Sequence, residues 1–403
     1  MRATPTLADD VVGAQERPFH ISVGEVAGAV ADLGVMVPLA TALILVNGLD
    51  AGSLLVCAGL LIIGAGLVFR VPFPVQPLKA LTAVAVAQQL APGVIHAAGL
   101  EIAGFLLLLS VRHVADAIAR VLTKPVVRAL QLGVGVLLLI TSIKLVASPP
   151  GIFAGTPPTP WPWLLLAGAF AGVVVASLTR HFWIAIAILV GGVVAALVVA
   201  DPHIGGPAFT LPSIGLPAAR DFGTAFLLLV VPQLPLTFGN AVVAIDELEH
   251  EYFEDAASRV TPSRVCLSAG VGNLVSGVFG GMPMCHGAGG LTAHTRLGAR
   301  TAGMNLVLGG AFLFLGLFFA AQVPVLLGLL PVWGLGALLA YAGLRHAWLV
   351  SDLRRSDLLI AVIAGALGAW LGNLAITAAL ALLAVHSSAL LRRLRGRAGT
   401  LVR

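Results

Sequence analysis

The chain is built from apolar stretches of about 20 residues, the length that an α-helix needs to cross a bilayer. Seven stretches precede a loop rich in proline and glycine, at residues 24–46, 52–69, 72–90, 93–111, 125–146, 161–179 and 182–200. Seven more follow, at residues 221–245, 263–280, 283–297, 301–321, 324–344, 357–371 and 373–391. The pattern predicts an all-α polytopic membrane protein with about fourteen spans. Its expected parts are a cytoplasmic segment 1–23, a first repeat 24–200, a connecting loop 201–220, a second repeat 221–391 and a basic tail 392–403.

The third stretch is interrupted by prolines. Pro72, Pro74 and Pro77 stand close together, and Lys79 follows them in an otherwise apolar run. Proline removes a backbone donor and clashes with the preceding turn, so we predict a short extended stretch and then a half-helix that begins near Pro77. The free amides at that helix start, with Gln76 and Lys79 beside them, predict an anion-attracting site within the bilayer.

The tenth stretch occupies the same position in the second half and is also interrupted. Glycines here would let a ligand approach the backbone, which makes candidate binding residues of Cys285, His286, Gly287, Ala288, Gly289 and Gly290. Purely structural roles stay open as well, because glycines also permit close helix packing in membranes and a lone buried histidine is usually satisfied within the core. Interrupted segments at matching positions favour a binding site between two repeats.

Polar residues in two further spans could complete such a site. Asp32 lies in the first span, where a carboxylate needs a partner or a water-filled cavity, so it is either half of a structural ion pair or a proton site for coupling. Gln233, Thr237 and Asn240 follow one another at i, i+4 and i+7 and would share one face of the eighth span. They would donate hydrogen bonds to an oxyanion or join neighbouring helices.

Composition and charge agree with a membrane location. Hydrophobic residues make up 59% of the chain, charged residues 10%, and the mean hydropathy is +1.02, more apolar surface than a soluble core could bury. Nearly all of the 23 lysines and arginines fall on one side if both termini are cytoplasmic. On that side, residues 246–264 are predicted to form the longest soluble excursion, and the tail arginines are predicted to contact anionic lipid rather than nucleic acid. Three scattered cysteines indicate no disulfide framework, and no metal-ligand spacing appears.

Several motifs together resemble the molybdate transporter family that is related to the sulfate permeases. They begin at Asp32, Pro72, Val126, Gln233 and Met282, and read DLG, PFPVQPLKA, VVRALQLG, QLPLT and MPMCHGAGG. The resemblance runs from about residue 20 to 390. It implies seven plus seven inverted repeats, in which a mobile core of spans 1–4 and 8–11 moves against a gate formed by the other spans.

The sequence therefore predicts a carrier, not an enzyme, for a tetrahedral oxyanion. Molybdate is the first expectation, moved by alternating access with coupling to protons or cations and without a cofactor. Sulfate differs from it in size but not in charge or shape, and a nucleobase would not need Lys79. A membrane enzyme would have to use residues such as Cys285 and His286, yet adjacent residues point about 100° apart on a helix. We expect a plasma (inner) membrane protein; a homodimer is compatible with the sequence.

Overall fold

The computed structural model describes residues 17–30, 33–111, 123–149, 153, 160–179, 183–199, 205–212 and 214–400. Asp32, the predicted coupling residue, lies outside the described residues. The first half contains helices and one short strand: α1 (Val23–Val30), α2 (Leu33–Leu45), α3 (Ala51–Phe69), β1 (Gln76–Pro77), α4 (Lys79–Ala87), α5 (Pro92–Leu109), α6 (Lys124–Ala147), α7 (Trp161–Thr179) and α8 (Trp183–Val199).

The second half repeats this style of construction. Its elements are α9 (Ala219–Ala225), α10 (Val231–Leu236), α11 (Ala244–Phe253), α12 (Pro262–Val278), β2 (Met284–Cys285), α13 (Ala288–Leu297), α14 (Gly303–Phe318), α15 (Val323–Gly328), α16 (Val332–Trp348), α17 (Arg355–Trp370) and α18 (Leu374–Thr400). Short 3-10 turns follow α11 and α16, at Glu254–Arg259 and Leu349–Asp352.

Within the described part of the chain, four helical stretches are long and apolar enough to cross a membrane: Ala51–Phe69, Pro92–Leu109, Lys124–Ala147 and Ala219–Arg259. Shorter apolar helices accompany them. Large apolar side chains also face outwards, for example Val198 at 82% and Trp370 at 80% exposure. Such surfaces would be unfavourable in water and are expected where lipid covers the protein.

The stretch predicted as the eighth span is one long helical run that changes its winding twice. Between α9 and α10 lies the π-helical segment Phe226–Val230, and between α10 and α11 lies a second one, Thr237–Val243. We expected the span to end at residue 245 and a soluble excursion to follow it. The helix instead continues to Phe253. A π-helical turn holds more residues than an α-helical turn, so each segment changes which side chains share a face.

The helices pack in two groups. In the first, α3 lies against α14 and α5 against α12, with α1, α9 and α13 around them. In the second, α6 lies against α16, α17 and α18, with α7 beside α16. Glycines allow the closest approaches: a Cβ atom on Gly59 would lie 2.7 Å from the carbonyl oxygen of Gly309, and one on Gly135 would lie 2.5 Å from that of Gly343. Small residues at helix contacts let dispersion forces hold membrane helices together.

Candidate functional site

The two interrupted segments meet in a short antiparallel ladder. Gln76 of β1 is paired with Cys285 of β2, and Pro77 with Met284. The ladder continues through the backbone N–H of Leu78, which donates to the carbonyl oxygen of Pro283 at 3.1 Å. Both strands are buried. Prolines keep the first segment extended, as predicted, and the pairing satisfies backbone groups that a broken helix leaves free within an apolar interior.

Two buried asparagines hold these extended segments. The side chain of Asn305 on α14 accepts from the N–H of Phe73 at 3.0 Å and donates to the carbonyl oxygen of the same residue at 2.6 Å. Asn273 on α12 does the same for Met284, at 2.9 Å and 2.7 Å. An amide side chain offers both a donor and an acceptor, so each asparagine replaces the ladder partner that a neighbouring strand would provide.

A half-helix begins directly after each strand. Helix α4 starts at Lys79 and α13 at Ala288, and the residue just before each start provides no side-chain hydrogen bond to the helix. Helix geometry leaves the first amides without an intrahelical acceptor, and the aligned peptide dipoles place positive partial charge there. The prediction of a half-helix that begins just after Pro77 is therefore confirmed, and the ladder brings a second helix start next to it.

The space between the two helix starts is accessible. Residues 281–288 are all buried, yet Gly289 is exposed and has no atom within 4 Å of the place where a Cβ would stand. Lys79 is half-buried, and its Nζ donates to Oε1 of Gln76 at 2.9 Å. A Cβ on Gly287 would lie 2.7 Å from that oxygen and 3.7 Å from Nζ of Lys79, so the Gln76 amide would have to shift to admit a side chain at this position.

Lys79 has no ion-pair partner among the carboxylates that the structure describes. Its ammonium group is thus a positive charge beside two positive helix ends, which together suit an anion. The alternative partner that the sequence suggests, Asp32, lies outside the described residues.

Gln233 and Thr237 support the first half-helix. Oε1 of Gln233 accepts from the backbone N–H of Leu81 at 3.0 Å, and its Nε2 donates to Oγ1 of Thr237 at 2.9 Å. The Gln233 side chain thereby satisfies one of the amides that the start of α4 leaves free. Both side chains are buried.

The side chain of Asn240 contacts helix α6. Its Oδ1 accepts from Nε2 of Gln131 on α6 at 3.3 Å, and Oε1 of Gln131 accepts from Nη1 of Arg128 at 2.8 Å. Arg128 in turn forms a two-pronged ion pair with Asp352, at 3.0 Å and 2.6 Å. The π-helical segment Thr237–Val243 separates Asn240 from the face that carries Gln233.

Asp352 anchors this chain of contacts in the 3-10 turn after α16. Hydrogen bonds from Arg128, with further help from Lys124, lower the pKa of its carboxyl group from the ordinary 3.8 to about 2. Lys124 lies 3.0 Å from Oδ2 of Asp352. The cluster links the start of α6 to the end of α16.

His286 is a buried link between segments. One ring nitrogen contacts the carbonyl oxygen of Pro74 and the other contacts Oγ of Ser268, each at 3.1 Å. The ring also meets Phe73 edge-on, with 4.7 Å between the ring centres. Both nitrogens are engaged with protein atoms, which matches a satisfied core histidine. Cys285 is likewise buried and has no disulfide.

His346 on α16 is a residue that the sequence does not single out. Its Nδ1 is buried and has no hydrogen-bond partner within the described part of the chain. It lies near enough to Lys79 for charge on the two groups to interact. The residue stands beside Arg345 at the end of a span, so in the sequence it looks like part of an ordinary basic helix end.

The comparisons with known proteins identify the family of this chain. Residues 24–138 and 225–345 match a family described as a molybdate transporter of the MFS superfamily. Molybdate transporter 2 of Arabidopsis thaliana is 32% identical, with 83% of this chain and 80% of the relative covered. Molybdate transporter 1 of Arabidopsis thaliana is 30% identical, with 83% and 81% covered. The chain belongs to this molybdate transporter family.

Solved structures show the same fold at low sequence identity. The transmembrane domain of a cyanobacterial bicarbonate transporter, BicA, has a TM-score of 0.62 at 17% identity, with 90% of this chain and 96% of that chain covered. Murine solute carrier 26 family member A9, an anion transporter in the inward-facing state, has a TM-score of 0.62 at 13% identity, with 97% and 73% covered. The chain is therefore an all-α integral membrane protein of the transporter class.

Proposed function

We propose that this protein carries molybdate across the membrane by alternating access and binds it between the starts of α4 and α13. The observation that carries the proposal is that two helix N-termini are joined by the β1–β2 ladder, with Lys79 close to Gly287 and the exposed Gly289 two residues further on. A dianion loses its hydration when it enters an apolar interior, and oriented amides together with one ammonium group offset part of that loss. A single fixed positive charge still allows release.

In this proposal the site residues have different tasks. Gln76 and Lys79 contact the anion, as do the backbone amides at Ala288 and Gly289, while Gly287 leaves room for it. The N–H of Gly290 already donates to the carbonyl oxygen of Gly287 at 2.9 Å, so Gly290 contributes space beside the backbone. Pro77, Gln233, Thr237 and Cys285 hold the two helix starts in place. Asn240 and His286 keep more distant segments in register, because their polar atoms already have protein partners.

The architecture we propose has about fourteen spans in two inverted repeats, with both termini cytoplasmic and the protein in the plasma (inner) membrane. The two packing groups support a division into a core, around α3, α5, α12 and α14, and a gate, around α6, α16 and α17. Anionic lipid around the basic tail and a homodimer complete the expected assembly.

Uptake of a dianion against a negative-inside potential requires energy. At about 2.3 kcal/mol per charge for 100 mV, two charges require about 4.6 kcal/mol, so we expect coupling to protons or cations. Asp32 stays a candidate for that coupling, as an intramembrane carboxylate.

The test is transport by the purified protein in liposomes with labelled molybdate, tungstate, sulfate and uracil offered side by side. Saturable uptake of molybdate that excess tungstate or molybdate blocks is the expected result. Preference for sulfate would mean that the same transport mechanism carries the smaller oxyanion. Transport of uracil alone would contradict the proposed anion site. Protein-free liposomes give the leak rate.

A further inference from the structure

Glu249 on α11 is an acidic residue in a fully buried position. Its exposure is 0%, and neither oxygen of its carboxyl group has a hydrogen-bond partner within the described part of the chain. It shares the buried face of α11 with Ile245 and Phe253, one turn away on either side. An ionised carboxylate without partners in an apolar environment is strongly destabilised, so the neutral, protonated acid is the stable form at this position.

No charged group in the described structure offsets this burial. The other acidic residues of α11 and its histidine lie at least partly exposed: Asp246, Glu247, His250 and Glu251. The elements packed against α11 carry His294 and Arg296 on α13, and Glu254, Asp255 and Arg259 in the 3-10 turn. Nδ1 of His294 is engaged with the carbonyl oxygen of Gly28 at 2.8 Å, and the other four are exposed.

The helix that carries Glu249 touches both halves of the anion site. In the same helical run, Gln233 accepts the hydrogen bond from Leu81 of α4. On the other side of Glu249, the hydroxyl of Tyr252 lies 3.3 Å from Oγ1 of Thr292 on α13. Between Gln233 and Glu249 stands the π-helical segment Thr237–Val243, where the backbone ladder is out of its usual register and a change of winding is easiest. A shift of either half-helix would therefore move the surroundings of Glu249.

We propose that Glu249 is the proton-binding group that couples transport to a proton gradient. It holds one proton in the conformation described here and releases it as a carboxylate when movement of the half-helices admits water to α11. Each proton that travels with molybdate offsets one of its two negative charges. This inference rests on the proposed function and adds to it the residue that carries the proton.

The decisive experiment uses liposomes that contain a pH-sensitive dye and compares wild type, Glu249→Gln and Glu247→Gln. Glutamine imitates the protonated acid but cannot release a proton, and Glu247 is an exposed carboxylate on the same helix. Two processes are measured: molybdate accumulation driven by an inward proton gradient, and exchange of external for internal molybdate without a gradient. We expect Glu249→Gln to keep exchange and to lose both the stimulation by the gradient and the dye signal, while Glu247→Gln behaves like wild type.

A dye signal in Glu249→Gln equal to that of wild type per molybdate moved would overturn the inference. Absence of molybdate exchange in wild type would instead overturn the proposed function, so the two failures are distinguishable. An infrared measurement needs no transport at all. Wild-type protein at neutral pH should show a protonated-carboxyl band that Glu249→Gln lacks and Glu247→Gln retains, and identical bands in all three proteins would refute the protonated state even if the variant transports poorly.

Discussion

The first interrupted segment reaches its half-helix through prolines, whereas the second reaches its half-helix through glycines. Both segments make a short strand, and an asparagine from another helix holds each of them. Both end at a helix start to which the preceding residue provides no side-chain hydrogen bond. They differ in what they add. The first supplies charge through Lys79, and the second supplies room through Gly287 and access through Gly289. The same backbone geometry is thus built from two different sets of residues, and in the function we propose the anion needs the charge of the first and the space of the second.

Removing the charge of the first segment should have the largest effect. We expect Lys79→Gln to weaken molybdate binding tenfold or more, because a charge-assisted hydrogen bond contributes about 1.5–3 kcal/mol. Binding is measured on folded, monodisperse protein. Lys144→Gln removes the same charge from an exposed position and should bind normally. Unchanged affinity in Lys79→Gln would mean that helix dipoles alone hold the anion.

The second-largest effect is expected when the space beside Gly287 in the second segment is filled. In Gly287→Ala the new methyl group would meet Oε1 of Gln76 at 2.7 Å, so the Gln76–Lys79 pair must shift. Overpacking of this kind costs about 1–3 kcal/mol, which we expect as a lower melting temperature together with weaker binding. Gly289→Ala, which meets no atom within 4 Å, should melt normally. Equal melting of the two variants would contradict the close contact.

Substitution of His286 tests whether its imidazole contacts the anion, as we propose for the ammonium group of Lys79. Because both of its ring nitrogens contact protein atoms, His286→Gln should lower the free energy of unfolding by about 1–3 kcal/mol, the range for a buried polar group that loses its partner. Molybdate affinity of the protein that stays folded should change little. A tenfold loss of affinity without loss of stability would restore His286 to the anion site.

The smallest effect is expected outside both segments, at the ion pairs of Asp352. The pKa of this carboxyl is lowered to about 2 from 3.8, so its stabilisation is present above pH 3.8 and is lost as the pH falls through about 2. The pair is partly exposed, which limits its contribution to about 1 kcal/mol or less. The difference in melting temperature between wild type and Asp352→Asn should therefore shrink between pH 4 and pH 2. A constant difference over that range would assign the effect to packing instead.

Local signals made the helices and the first half-helix predictable. Hydrophobic length located spans such as Ala51–Phe69, and three prolines located the break before Lys79, because both effects act on neighbouring residues. The sequence motifs also identified the family, which the comparisons confirmed. The sequence around Gln233 does not show that its side chain accepts a hydrogen bond from the N–H of Leu81, because that contact joins residues far apart in the chain.

Two features of the eighth span were not visible in its sequence pattern. The shared face of Gln233, Thr237 and Asn240 assumed regular α-helical winding, whereas a π-helical segment begins at Thr237 and Asn240 contacts Gln131 on α6, the helix-joining role that the sequence had left open. The soluble excursion at residues 246–264 stays a prediction, but burial of Glu249 within it was not foreseen. Glu249 shares a buried face with Ile245 and Phe253, four residues away on either side, and the neighbouring exposed charges obscured that spacing.

The ladder between β1 and β2 also imposes an order on biosynthesis. Gln76 and Cys285 lie about half the length of the chain apart, so the partner of the first strand is not yet synthesised when the first half enters the membrane. Until then β1 has no ladder partner. A chain released before Met284 should therefore expose the proline-rich segment to proteases and chaperones, whereas two separately expressed halves could still complete the ladder after insertion. Because contacts between residues far apart in the chain form late in folding, we expect the proposed anion site to be one of the final parts of this protein to form.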